Sequence, residues 1–274
     1  MRPLVLKFGG ELLEDPERLR TVVGAVREVA GAAPLAIVHG GGKEIDAALR
    51  VAGIEKRQVE GLRITDAPTL DVVVSVLAGA VNTRFVAALT TAGVAAVGLT
   101  GADGACGLSE GAPPHRTVDG RVVDLGEVGL PVTDADMRLL RTLLDAAFVP
   151  VVACIGLGRD GRLFNVNADT FAGHLAARLQ ARRLVIAGTT PGVLGADGTT
   201  VAELDPPAVA QLLADGTATA GMIAKLRACA DALAGGVDDV VIVDGRERSA
   251  LAAAAVSREP RAATRLVRRA EGRV

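Results

Sequence analysis

Short apolar runs recur along the chain, and most are followed by glycine or by a helix-capping signal. LVLKF at 4–8 is the first such run. Asp15-Pro16-Glu17 then supplies an N-cap, a proline at the first helical position and an early acid, which predicts a helix to about Ala30. PLAIVH at 34–39 reads as a second strand, with a helix from about Lys43 to Ala52. This alternation predicts an α/β fold with a mostly parallel sheet.

The same patterning continues to residue 245. KRQVEGLRIT (56–65) suits a small hairpin, and helices are expected over 68–81 and 84–92, followed by a strand at 95–100. Asp119-Gly120, within 115–129, signals a hairpin that could form a flap over one edge. Thr133 and Asp136 have the spacing of a capping box for a helix ending near Ala147. Strands follow at 148–155, 182–188 and 238–245, and helices from Asp169 to about Leu179, over 206–213 and over 222–233. TTPGVLGADG (189–198) is a glycine-rich loop. A change of texture near residue 180 suggests two lobes, 1–180 and 181–274, on one continuous sheet, with a disordered tail of a few C-terminal residues at most.

Composition narrows the partners. Half of the 274 residues are apolar, enough for a large core, and 30 basic against 32 acidic residues leave a net charge of -2. That balance provides no broad basic face, and five Phe with no Trp or Tyr provide few stacking platforms, so no nucleic acid partner is expected. Cys106, Cys154 and Cys229 form no CxxC or disulfide pattern, which points to a reduced, cytoplasmic setting. The start MRPLVLKFGG does not read as a signal peptide, and glycines interrupt apolar stretches such as VAALTTAGVAAVGL, so no membrane association is expected.

Two glycine groups carry the candidate chemistry. Gly9-Gly10 and Gly40-Gly41-Gly42 each follow a predicted strand. If those strands are parallel, both groups lie at the sheet edge where open α/β folds bind ligands. Backbone N–H groups there can hold phosphate oxygens, although three glycines can equally make a tight turn with no ligand. There is no GxxxxGK[ST], no GxGxxG after the first strand and no GxSxG elbow. His39 reads as a structural residue that orients the loop. Lys7 and Lys225 could be ordinary exposed lysines, or they could place two positive charges about a transferring phosphoryl group. Asp169 could be a helix cap, or it could hold both lysines. No metal-ligand spacing is present, and Mg²⁺ carried on nucleotide phosphates needs none.

In order along the chain, KFGG (7–10), VHGGG (38–42), GLRITD (61–66), GAVN (79–82), AAVGLTGADG (95–104), DLGEVG (124–129), FNVNAD (164–169) and GMIAK (221–225) resemble the amino acid kinase family. The resemblance is greatest to its branch acting on the side-chain carboxylate of N-acetyl-L-glutamate in arginine biosynthesis. It implies a three-layer αβα sandwich with an open, mainly parallel sheet. The first lobe would bind the acyl amino acid and form a homodimer near 68–81, and the second would bind MgATP. It implies that Lys7 and Lys225 stabilise the phosphoryl group from opposite sides while Asp169 organises them. Gly9, Gly10 and Gly41 would cradle phosphate, and Gly41 and Gly42 would line the substrate site. Arg63 would hold a substrate carboxylate and Asn165 the amino acid part. Thr189 and Thr190 stand where relatives often carry aspartate in the nucleotide loop. The alternatives are a kinase of N-succinylglutamate or of carrier-protein-linked aminoadipate or glutamate, and a non-catalytic ligand-binding protein of the same fold.

Overall fold

A computed structural model describes residues 1–117, 119–195, 197–214, 220–257 and 262–268. Its main sheet has eight strands, running in order Glu203–Leu204, Ala263–Val267, Asp239–Asp244, Arg183–Gly188, Leu4–Phe8, Leu35–His39, Val149–Ala153 and Ala96–Thr100. The last six are mutually parallel, while Ala263–Val267 runs antiparallel to Asp239–Asp244 and carries the short Glu203–Leu204 edge parallel to itself. The chain leaves Leu4–Phe8 towards Leu35–His39 and later returns to Arg183–Gly188 on the other side. The order therefore reverses beside the first strand.

Near-continuous apolar sequence in the central strands is what a sheet buried on both faces requires. One face packs against helices Ala168–Arg178 and Ala220–Ala234 through Phe171, Leu175, Leu226 and Ala232. The other packs against Pro16–Ala30 and Arg248–Val256 through Val22, Val26, Leu251 and Ala255. Layers of helix, sheet and helix thus form the expected αβα sandwich. A second, four-stranded sheet (Ile155–Leu157, Leu163–Val166, Val128–Pro131, Ser109–Gly111) stands beyond the main sheet's carboxyl edge. Two hairpins accompany it, Gln58–Val59 with Leu62–Arg63 and His115–Arg116 with Val122–Val123, as the turn signals predict. His115 Nε2 lies 2.8 Å from a Glu60 carboxylate oxygen and ties the hairpins together.

Local signals explain most element ends. Asp15 accepts hydrogen bonds from the Glu17 and Arg18 amides, satisfying two free donors of the first helix turn. Four expectations need correction. The helices expected over 68–81 and 84–92 are one 25-residue helix, Ala67–Thr91, whose middle, Ser75–Val81, widens into a π-helix. By length and composition alone this helix is sufficient to cross a membrane, Gly79 notwithstanding, a test that the core helix of a globular protein also meets. The Thr133–Asp136 capping box does not form, because the helix begins at Arg138 without a side-chain cap and Asp136 instead accepts from the Arg138 amide. The Arg248–Val256 helix and Ala263–Val267 strand went unread, the first because ALAAAAV has no polar period. The predicted C-terminal tail, 269–274, lies outside the described residues.

Candidate active site

The strand Leu4–Phe8 is bonded on both sides, with Lys7 in register with Val38 and Ile186. Alternation sends Leu4, Leu6 and Phe8 into one core layer, leaving Lys7 on the opposite face, at the carboxyl end of the sheet. There the helix Ala168–Arg178 begins. Its N-cap, Asn167, accepts from the Asp169 and Thr170 amides, which fixes Asp169 in the first turn, where the helix dipole favours a negative charge. Lys225 comes from the Ala220–Ala234 helix packed alongside.

These three side chains meet. Lys7 Nζ is 2.8 Å from Asp169 Oδ1, and Lys225 Nζ donates to both Asp169 oxygens at 3.2 and 3.3 Å. The side chains are only 10, 14 and 11 % exposed for Lys7, Lys225 and Asp169, so their charges act with little solvent screening. Burial alone would raise the Asp169 pKa, but the two ammonium groups outweigh it and hold the carboxyl at about 2. Burial likewise opposes the charge on Lys7, and Asp169 overcomes it, raising the pKa. Burial and repulsion from Lys7 together leave Lys225 lowered. One carboxylate is shared by two ammonium groups, and the Glu11 carboxylate also acts on Lys7.

The glycine groups converge on the same edge. A Cβ on Gly10 would lie 2.6 Å from Gly41 Cα, and one on Gly41 would lie 2.8 Å from Leu77 Cδ2. The Gly10 contact is backbone to backbone and excludes any larger residue there, whereas at Gly41 the neighbour is the end of the Leu77 side chain. Gly41 is also the N-cap of the helix Gly42–Val51, and no side chain caps it. Its free first-turn amides therefore face the cleft. His39 beneath is fully buried, and burial pushes its pKa down to about 4. The Asn82 amide donates to Val151 O and to His39 Nε2, so the neutral ring donates from Nδ1 to Gly40 O. Its role is to hold the loop, as the sequence indicated.

Gly40, Gly41, Gly42, Arg63, Leu77 and Asn165 help to line a cavity of about 200 Å³ that reaches Asn167 and Ala168, immediately before Asp169. Arg63 projects from its hairpin and donates through Nη2 to Asp46 and to Gly42 O at 3.3 Å. Its Nη1 is buried without a partner, an unsatisfied donor that a ligand oxygen would complete. Asn165 donates through Nδ2 to Thr65 Oγ1 at 3.0 Å, which leaves its carbonyl oxygen free to accept.

All nine residues singled out from sequence lie at this edge, in two adjoining groups. Lys7, Asp169, Lys225, Gly9 and Gly10 surround the strand ends, and Gly41, Gly42, Arg63 and Asn165 line the cavity. Thr189, half-buried, and Thr190, exposed, follow the Arg183–Gly188 strand onto the same edge. Two residues were missed. Asp46, which orients Arg63, gave no signal within its helix. Glu11 follows a glycine doublet directly, and an acid beside a phosphate-type loop was a signal that could have found it. The three cysteines are buried and free, and burial pushes the Cys106 and Cys154 thiols up to about 12.

Comparison with known proteins finds relatives over nearly the whole chain. The chain is 41 % identical over 261 residues to the acetylglutamate kinase of Rhizorhabdus wittichii, covering 93 % of this chain and 86 % of that protein. It is 40 % identical over 252 residues to the acetylglutamate kinase of Rhizobium etli, covering 89 % and 84 %. Among solved structures, the N-acetylglutamate synthase of Neisseria gonorrhoeae, complexed with coenzyme A and N-acetyl-glutamate, superposes with a TM-score of 0.83 at 26 % identity and 98 % coverage of this chain. This chain spans 60 % of the length of that synthase. The carbamate kinase of Giardia shares the fold, with a TM-score of 0.70 at 13 % identity over 97 % of this chain and 99 % of that one. The amino acid kinase family model matches residues 2–244, and with relatives at this identity across nearly the whole chain, the chain belongs to the amino acid kinase family.

Proposed function

We propose that the protein transfers the γ-phosphoryl group of ATP to the side-chain carboxylate of N-acetyl-L-glutamate, a step of arginine biosynthesis, giving an acyl phosphate and ADP. The observation that carries this is the Lys7–Asp169–Lys225 cluster beside a cavity holding an unpaired Arg63 Nη1. Arg63 takes the α-carboxylate, for which a guanidinium fork is suited, and the Asn165 carbonyl accepts the substrate amide N–H. The side-chain carboxylate then points towards Lys7. Being ionised already, it attacks phosphorus without a general base. The new O–P bond forms as the bond to the ADP oxygen breaks, and Lys7 and Lys225 neutralise charge on the transferring oxygens from either side. Asp169, held at about 2, is too weak a base to take a proton and serves to fix the lysines. The first lobe, 1–180, holds the acyl amino acid and the second, 181–274, the nucleotide.

Mg²⁺ bound to ATP supplies charge neutralisation at the phosphates. Among the described residues no three His, Cys, Asp or Glu side chains cluster to hold a metal alone. Gly9 packs under the Glu11 carboxylate and Gly10 against Gly41, while Gly42 has open space beside it, so the phosphates would meet backbone amides at this edge with Glu11 as the neighbouring carboxylate.

The cavity also favours the acetyl substrate over the succinyl one. Arg63 is the only charged residue among its described lining, so a third carboxylate on the acyl arm would be buried without a cation. With MgATP and hydroxylamine trapping, turnover of N-acetyl-L-glutamate is expected to exceed that of N-succinyl-L-glutamate, free glutamate and aspartate. Arg63→Ala should raise KM for the substrate by about 10- to 100-fold, the worth of a hydrogen bond to a charged group. Preference for the succinyl compound, or an unmoved KM, would remove this assignment.

The helix Ala67–Thr91 is the proposed dimer contact. Only 39 % of its most apolar stretch is buried, and it lies beside Ala96–Thr100, the open edge of the sheet. Covering both with a second copy buries apolar surface and an unpaired strand edge. Sedimentation is expected at twice the 27.8 kDa chain mass, and a monomer at micromolar concentration would exclude this contact.

A further inference from the structure

Glu11 stands where a carboxylate should be unwelcome. A Cβ on Gly9 would lie 2.3 and 2.4 Å from its two carboxylate oxygens, and one on Gly188 would lie 3.3 Å from Oε1. The carboxylate is therefore folded back over the ends of Leu4–Phe8 and Arg183–Gly188, where the strand order reverses and open α/β sheets bind their ligands. It lies on the Lys7 side of the sheet, because Lys7 and Gly9 share a face, and its charge is felt at Lys7. The polyphosphate of a nucleotide placed on this cradle meets a like charge at close range.

A divalent cation between them reverses the sign of that contact. Mg²⁺ is commonly held by one or two carboxylates together with substrate phosphates. We propose that Glu11 is a ligand, directly or through one water, of the divalent cation that the nucleotide brings, so that the site takes metal-bound nucleotide and rejects the bare form. This rests on the ATP reading above. It adds a selection step: the chain itself tests whether the nucleotide carries its metal.

The test is calorimetric and needs no turnover. ADP is titrated into the wild-type protein with excess Mg²⁺ and, separately, with EDTA, and both titrations are repeated on Glu11→Gln and Glu11→Ala. Wild-type protein should bind MgADP about 30-fold more tightly than bare ADP, and both variants should narrow that gap to about threefold, chiefly by binding bare ADP better. The half-buried side chain lies outside the apolar core, so both variants should fold. A gap of unchanged size in the variants overturns the assignment of Glu11 alone. If wild-type protein binds neither form, the kinase reading itself falls.

Discussion

Lys7→Ala is expected to lower kcat about 10²- to 10³-fold while leaving KM for the acyl amino acid nearly unchanged, the loss typical of one preorganised donor at a transition state. The reasoning is geometric. Lys7 is carried by a strand bonded on both sides and its buried ammonium is anchored on Asp169, so it is already placed where charge develops. Its 2.8 Å contact with Asp169 holds it there without neutralising the pair of lysines. A second readout belongs to the same variant. Asp169 is depressed from 3.8 to about 2, so its ionic contribution to stability is complete above pH 3.8 and lost as the pH falls through 2. Without Lys7 the folded carboxyl moves back towards its ordinary value, so part of that contribution disappears at neutral pH and acid unfolding begins at a higher pH. An unchanged kcat, measured by steady-state hydroxamate assay, would take Lys7 out of the phosphoryl site.

Asp239→Ala should have the opposite profile, costing about 3–5 kcal/mol of stability and leaving the activity of folded protein intact. Arg183 and Asp239 open their strands at the end of the sheet opposite the site. The guanidinium pairs with Asp239 through Nε and Nη2 at 2.7 and 2.6 Å, and both side chains are 7 % exposed. Arg265 adds a third contact at 2.8 Å, while Arg183 Nη1 donates to Ala254 O and Ser257 O. Burial would raise the Asp239 pKa, and the two guanidinium groups overcome it, lowering it. Removing the carboxylate strands a buried Arg183 that cannot give up its proton. The melting temperature is expected to fall by roughly 10 °C, and a fall of only a degree or two would show that water reaches Arg183.

Much of the site was legible because its parts obey local rules. Gly9-Gly10 and Gly40-Gly41-Gly42 follow apolar runs, Asp169 sits just inside a capped helix, and strand–helix alternation places all of them at one edge. Their mutual contact was not legible: that Gly10 touches Gly41, or that Lys225 reaches Asp169 across 56 residues of sequence, depends on the sheet order. Arg63 read as a carboxylate ligand by resemblance, yet the Asp46 that aims it sits within an unremarkable helix. The Arg183–Asp239–Arg265 network was invisible for the same reason, each member looking like an ordinary strand-end charge. The failed Thr133–Asp136 box shows that a spacing match fixes nothing when a neighbouring amide competes for the carboxylate.

The wide turn at Ser75–Val81 has a consequence for how the Ala67–Thr91 helix can vary. In an ordinary helix each residue advances the side-chain direction by about 100°, so one extra residue in a turn offsets everything beyond it by that angle. The offset acts as a phase shifter. Before and within it, Leu77 meets Gly41, and beyond it Asn82 meets His39 and Phe85 meets Phe8. A chain one residue shorter there would relax into a more regular helix while turning Asn82 away from the histidine that holds the glycine loop. Length at this point therefore bears on the glycine loop, although the wide turn contains only apolar residues and Ser75, whose hydroxyl donates back to Asp71 O.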